Sequence, residues 1–220
     1  MNIFITSTNT DIGKTYVTKN LFKLFESKGY KICIFKPFQT EEIKDGVYPD
    51  LEVYKKECHL DYNLTSLFKF KEPVSPHLGF KMECKNFNRQ KVFDYIYELE
   101  ENFDFILIEG AGGLAVPIYE SDYKSYMTAD LIRDISDIVI SVLPSKIGAI
   151  SDSIVHQFYF EGMNLPPNVL LMNQYTDSYI ERDNKKTISK LTNKKVYTFK
   201  ENGNYYDFSD GFITLLLGGK

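Results

Sequence analysis

The apolar run Asn2–Thr6 passes into a polar loop, Ser7 to Gly13, and then into Gly13-Lys14-Thr15 at the start of a new segment. Val17, Leu21, Leu24 and Phe25 recur at helical spacing in that segment, which predicts a helix over 14–27, ended at Gly29. A short buried strand, a polar loop and a helix opened by Gly-Lys-Thr together make a phosphate-binding loop. Backbone N–H groups and the helix N-terminus cradle the anion. Lys14 adds charge near the β and γ oxygens, and Thr15 offers its hydroxyl to Mg²⁺. Thr8 stands where such loops carry their first glycine, five residues before Gly13.

The rest of the chain repeats the strand-then-helix alternation. Strands are predicted over 31–36, 104–109, 138–143, 169–172 and 195–199, and helices over 89–101, 127–135, 149–160 and 179–191. The segment 38–46 reads as a polar loop, and Asp50 as a cap for a short helix through Lys56. Alternation of this kind predicts an α/β fold: one domain, 1–220, with a mostly parallel central sheet covered by helices on both faces. Ligands of such sheets bind beyond the carboxyl ends of the strands. Four loops fall there: 7–15, 36–40, 109–113 and 144–149.

Hydrophobic residues make up 43% of the 220 positions, enough for a core that needs no disulfide or metal staple. A formal net charge of −4 offers no broad attraction to nucleic acid or an anionic membrane, so neither is expected as a partner. Cys33, Cys58 and Cys84 are odd in number and form no CxxC pair, which suits reduced thiols. The N-terminus lacks the pattern of a secretory signal, and no apolar run approaches the ~20 residues of a membrane span. A cytoplasmic protein is expected. His59, His77 and His156 lack metal-ligand spacing.

Glu109 ends an apolar strand and is followed by Gly110-Ala111-Gly112-Gly113, where backbone could approach a ligand closely. There it would serve as a hard oxygen ligand for Mg²⁺. Lys36 ends the second strand. Its side chain either runs out to water or points into an anionic site, where it would offset developing charge.

Taken together these pieces resemble the dethiobiotin synthetase family. The family's opening Gly-Thr-Asp-Thr-x-x-Gly-Lys-Thr is similar to Ser7–Thr15, and its aromatic-Lys-Pro to Phe35-Lys36-Pro37. Its Glu-Pro-x-Ser-Pro-His matches Glu72–His77, and its Val-Glu-Gly-Ala-Gly-Gly is similar to Ile108–Gly113. The resemblance implies a P-loop enzyme that carboxylates 7,8-diaminopelargonic acid with CO₂ and ATP and closes a ureido ring through a carbamate and a carbamic–phosphoric anhydride. By resemblance Lys14, Lys36 and Thr10 are catalytic, and Thr15, Asp50 and Glu109 hold Mg²⁺. Nucleotide contacts are implied for Asp11, Ile12, Gly13, Lys14, Thr15, Tyr16 and Asn173. Substrate contacts are implied for Thr40, Gly112, Gly148, Ala149 and Ser151. In the family the loop at Lys146–Ala149 serves the partner subunit, so a homodimer is implied.

The chain departs from the family pattern at Ser7, Asn9, Asp11 and Ser151. The Pro-rich segment that completes the family's base pocket is not recognisable after Val196, which predicts weaker discrimination of ATP from GTP. Two alternatives are a P-loop synthetase that amidates larger substrates and a nucleotide switch of the partitioning or sorting type. The first needs a glutamine-hydrolysing domain, for which the chain is short. The second needs an early lysine, and none occurs in Ser7–Asp11.

Overall fold

The computed structural model describes residues 1–218. Strand β1 (Asn2–Ser7) leads through the glycine-containing loop to helix α1 (Lys14–Ser27). Strands β2 (Ile32–Phe35) and β3 (Phe38–Gln39) follow, then α2 (Pro49–Cys58), α3 (Tyr62–Thr65), β4 (Phe68–Lys69) and α4 (Pro76–Met82). Next come α5 (Arg89–Asn102), β5 (Phe105–Glu109), the strands β6 (Pro117–Glu120) and β7 (Ser125–Met127), and α6 (Thr128–Ile135). The chain continues with β8 (Ile138–Leu143), α7 (Ala149–Gly162), β9 (Asn168–Tyr175), α8 (Tyr179–Thr192), β10 (Val196–Lys200) and α9 (Asp210–Leu216).

Six strands form one sheet in the order β10-β9-β8-β1-β5-β2, and every pairing is parallel. Period-two alternation sends successive side chains to opposite faces. Ile3, Ile5, Ile34 and Leu107 pack on one face against Val17, Leu21 and Phe25 of α1 and Leu51 and Tyr54 of α2. Phe4, Phe35, Ile106 and Ile108 pack on the other against Val92 and Ile96 of α5 and Leu131 and Ile132 of α6. Burial on both faces is why these strands read as continuous apolar runs. The sheet places the ends of β1, β2 and β5 side by side, with β1 between β8 and β5. The loops after these strands therefore converge on one edge.

The predicted alternation matches the six sheet strands and the helices α1, α5, α6, α7 and α8 within a few residues. Three expectations differ. Phe38–Gln39 is not loop but pairs in parallel with Phe68–Lys69, because both strips bury aromatic rings against Phe80. Asp50 does not cap α2: Tyr48 holds the N-cap position, and Asp50 lies in the first turn with its carboxylate bonded elsewhere. The antiparallel β6–β7 pair and the helix α9 were not anticipated.

Cys33 and Cys58 are buried and free, and burial pushes both thiols up to about 12, so neither serves as a thiolate near neutrality. His156 is 6% exposed on α7, with Nε2 2.9 Å from Ser141 Oγ, and burial pulls it down to about 4. An unfolded His takes its proton near 6.5. Between that pH and about 4 the unfolded chain therefore binds the extra proton, and stability falls as pH falls. Above 6.5 both states are neutral and the group contributes no slope. The predicted loss is up to roughly 3 kcal/mol over this window. Denaturant unfolding at pH 7 and pH 5 should show it, and His156→Gln should flatten that part of the profile; an unchanged slope would contradict the assignment.

Candidate active site

Gly13, just before α1, has φ +89°, and a Cβ there would collide with the Asn173 side-chain amide. Only glycine meets both requirements. Asn173 is buried on β9 and donates from Nδ2 to the Ile12 carbonyl at 2.9 Å, so it braces the loop from the far side. The glycine loop after β5 closes in from the other side, where a Cβ on Gly113 would sit 3.2 Å from the Ser7 carbonyl oxygen.

These segments border a cleft of about 650 Å³. Thr10, Asp11, Gly13, Lys14, Thr15 and Tyr16 line it from the first loop. Lys36 and Thr40 line it from the segment after β2, Asp50 from α2, and Glu109 and Gly112 from the end of β5. The segment Pro73–Pro76 forms a further wall, and His77 Nδ1 lies 2.8 Å from Ser75 Oγ behind it.

Lys36 sits at the centre and is 4% exposed. Its ammonium lies 2.5 Å from Glu109 Oε1 and 2.8 Å from Asp50 Oδ2. Burial alone would lower its pKa, but the two carboxylates outweigh burial and hold it above the ordinary lysine value. Asp50 is likewise pushed up by burial, yet Lys36 and the Thr15 hydroxyl hold it below the usual carboxylate range. Thr15 Oγ1 is 2.7 Å from Asp50 Oδ1 and 3.0 Å from Glu109 Oε1. Behind them, the buried Tyr54 donates its hydroxyl to Glu109 Oε2. Tyr54 was not foreseen as part of the site, although its spacing of four from Asp50 puts both on one face of α2.

Lys14 is different. It is 7% exposed, its Nζ donates to Ser7 Oγ at 3.1 Å, and it forms no ion pair among the described residues. Burial lowers its pKa, and the neighbouring Lys36 lowers it further. Glu109, Asp50 and Asp11 raise it in part from a distance, but a buried ammonium with no carboxylate in direct contact leaves room for an anion from outside.

Two carboxylates and one hydroxyl therefore face one another across the cleft floor. This is a hard-oxygen donor set that suits Mg²⁺. No group of three or more His, Cys, Asp or Glu gathers among the described residues, so a cation there would complete its shell with water or phosphate oxygens. Gly148, Ala149 and Ser151, at the start of α7, do not line this cleft. Ile12 and Asn173 lie behind its wall rather than in it.

Residues 1–198 match a family described as an AAA domain. The chain is 60% identical over its full length to the ATP-dependent dethiobiotin synthetase BioD of Staphylococcus epidermidis, covering 99% of that protein. It is 36% identical to the protein of the same name in a Geobacillus species, over 86% of this chain and 80% of that one. Among solved structures, a plasmid partition protein from Borrelia burgdorferi superposes with a TM-score of 0.63 at 14% identity, covering 100% of this chain and 98% of that one. The Aquifex aeolicus MinC:MinD cell division complex gives a TM-score of 0.55 at 16% identity, covering 91% of this chain and 81% of that one. At these identities the structural likenesses speak for the fold alone.

Proposed function

Because the chain belongs to the dethiobiotin synthetase family of AAA-domain proteins, we propose that its cleft carries out the family's carboxylation and ring closure on 7,8-diaminopelargonic acid. The chain is an ATP-dependent ligase of biotin biosynthesis that forms a C–N bond. The observation that carries the reading of this cleft is Lys14: buried, unpaired and set at the start of α1, it is charged for a phosphate.

In this reading one amine of the substrate adds CO₂, loses a proton and becomes a carbamate. A carbamate oxygen attacks the γ-phosphorus of ATP, and the bond to the departing ADP oxygen breaks. The second amine attacks the carbonyl carbon of the mixed anhydride, phosphate leaves, a proton is lost and the ring closes. Lys14 holds the β and γ phosphates against the backbone N–H groups of residues 11–16. Lys36 exchanges its carboxylate partners for the carbamate and the phosphoryl group and offsets their charge. Thr10 and Thr40, which line the cleft, contribute hydroxyls to the transferring group, and Gly112 lets the substrate approach the backbone. Mg²⁺, held by Thr15, Asp50 and Glu109, offsets phosphate charge when bound. The protein's part is positioning and charge.

The start of α7 does not line this cleft, which fits a site shared between two copies. Ile147, Val155 and Phe158 are 92%, 67% and 80% exposed. Val155 and Phe158 lie on the same helix as Ala149 and Ser151. Pairing through α7 would cover these side chains and bring Gly148, Ala149 and Ser151, at the N-terminal end of that helix, to the partner's substrate carboxylate. The whole chain, 1–220, acts as one domain, and a cytoplasmic setting follows from the pathway. No described helix is long and apolar enough to cross a membrane. The loop after β10 is tied to α1 by Tyr16, whose hydroxyl donates to the Gly203 carbonyl. This short loop replaces a Pro-rich base pocket, so GTP is taken as a substrate beside ATP.

Purified protein with Mg²⁺, ATP, labelled bicarbonate and the diamine should yield acid-stable label and matching phosphate, and GTP should support turnover within roughly tenfold of ATP, about 1.4 kcal/mol. Lys36→Met should cut kcat by about 10²-fold or more while nucleotide still binds. Phosphate without stable label would overturn the ring-closing reading, and a large preference for ATP would overturn the base reading. Phe158→Asp should give a monomer by light scattering and raise KM for the diamine; a monomeric wild type would remove the shared site.

A further inference from the structure

Three of the four carboxylate oxygens on the cleft floor share Lys36 and Thr15 as partners. Asp50 gives Oδ1 to Thr15 and Oδ2 to Lys36. Glu109 gives Oε1 to both Lys36 and Thr15. Only Oε2 of Glu109 turns away from the cleft, and there the Tyr54 hydroxyl meets it. Tyr54 is 0% exposed and lies within the apolar cluster of α1, α2 and the sheet. Glu109 is 1% exposed, so water offers Oε2 no substitute donor. A carboxylate oxygen buried without a donor carries a large desolvation cost. The group would relieve that cost by rotating Oε2 towards Lys36.

We propose that Tyr54 is a positioning residue for the reaction: by holding Oε2 of Glu109 at the back of the cleft, it makes Glu109 present a single oxygen, Oε1, to the cation and to Lys36. The inference rests on the reading of Glu109 as a cation ligand. Tyr54 follows Asp50 by one turn on α2, so a single helix supplies one ligand and fixes the orientation of another that stands on β5. Any movement of α2 against the sheet thus shifts both acids together. Groups that orient metal ligands in this way set affinity as well as geometry. Tyr54 touches no substrate in this account; it acts through Glu109.

The test uses Mn²⁺ as the probe, titrated by electron paramagnetic resonance into the full-length protein with a non-hydrolysable ATP analogue. Tyr54→Phe keeps the ring and removes only the donor, and Tyr54→Leu keeps an apolar side chain and also lacks it. Each should weaken Mn²⁺ binding roughly 10-fold or more. Affinity for the metal-free nucleotide should stay unchanged, as should KM for the diamine, while the Mg²⁺ concentration for half-maximal turnover rises. In a Glu109→Gln background, Tyr54→Phe should have no further effect on Mn²⁺. A purely structural tyrosine would lower the melting temperature and leave Mn²⁺ affinity as in the wild type, and that result overturns the proposal. Should Glu109→Gln itself leave Mn²⁺ affinity unchanged, the reading of Glu109 fails and the role of Tyr54 falls with it. Loss of Mn²⁺ binding in Glu109→Gln without loss in either Tyr54 variant would overturn the Tyr54 inference alone.

Discussion

The ammonium of Lys36, held between Glu109 and Asp50, ties together parts of the chain that the fold brings in from separate directions. Lys36 follows β2, Glu109 ends β5, Asp50 starts α2, and Thr15 of α1 bonds to both acids. A buried carboxylate, Glu109, and a half-buried one, Asp50, that share one lysine would repel each other without it, and the ammonium between them removes the repulsion. A pair of this kind is a poor source of net stability, but removing one partner from it is expensive, at about 3–5 kcal/mol. The arrangement therefore fixes geometry more than it adds stability. It also leaves the acids in a state that a divalent cation can take over, since the lysine occupies the charge position such an ion would fill.

The neighbouring Lys14 shows the opposite balance. It is buried too, and among the described residues its ammonium has a serine hydroxyl alone for a partner. The two lysines thus divide the work of the cleft. In the proposed reaction one, neutralised within the protein, would be released when ligand charge arrives, and the other would receive that charge. The backbone supports this division, because Asn173 and the Gly110–Gly113 loop clamp the first loop from two sides. The parallel sheet supplies the clamp's registration, with β1 between β8 and β5.

Much of this was legible in the chain itself. Strands buried on both faces leave unbroken apolar runs, and α1, α5 and α6 each show a periodic apolar stripe. The site loops were legible because the residues that need backbone freedom or charge, Gly13-Lys14-Thr15 and Glu109–Gly113, sit directly after such runs. Other features carry no local signal. Phe38–Gln39 and Phe68–Lys69 are two residues each and form strands only because aromatic packing presses them together. Helix α9 anchors through Phe212 and Leu216, too few positions to define a period. Asp50 looked like a cap because acids favour helix starts, and only the tertiary placement of Lys36 and Thr15 draws its side chain inward. Tyr54 read as one more core aromatic among many, since its partner on β5 is 55 residues away.

The most direct measurement is a pair of crystal structures, one of the free protein and one with Mg²⁺ and a non-hydrolysable ATP analogue. The account predicts the 2.5 Å contact between Lys36 and Glu109 Oε1 in the first. In the second, Mg²⁺ should stand among Thr15, Asp50 and Glu109, Lys14 should contact the terminal phosphate, and Lys36 should have left Glu109. A bound nucleotide with the Lys36–Glu109 contact intact and the cation held elsewhere would contradict it.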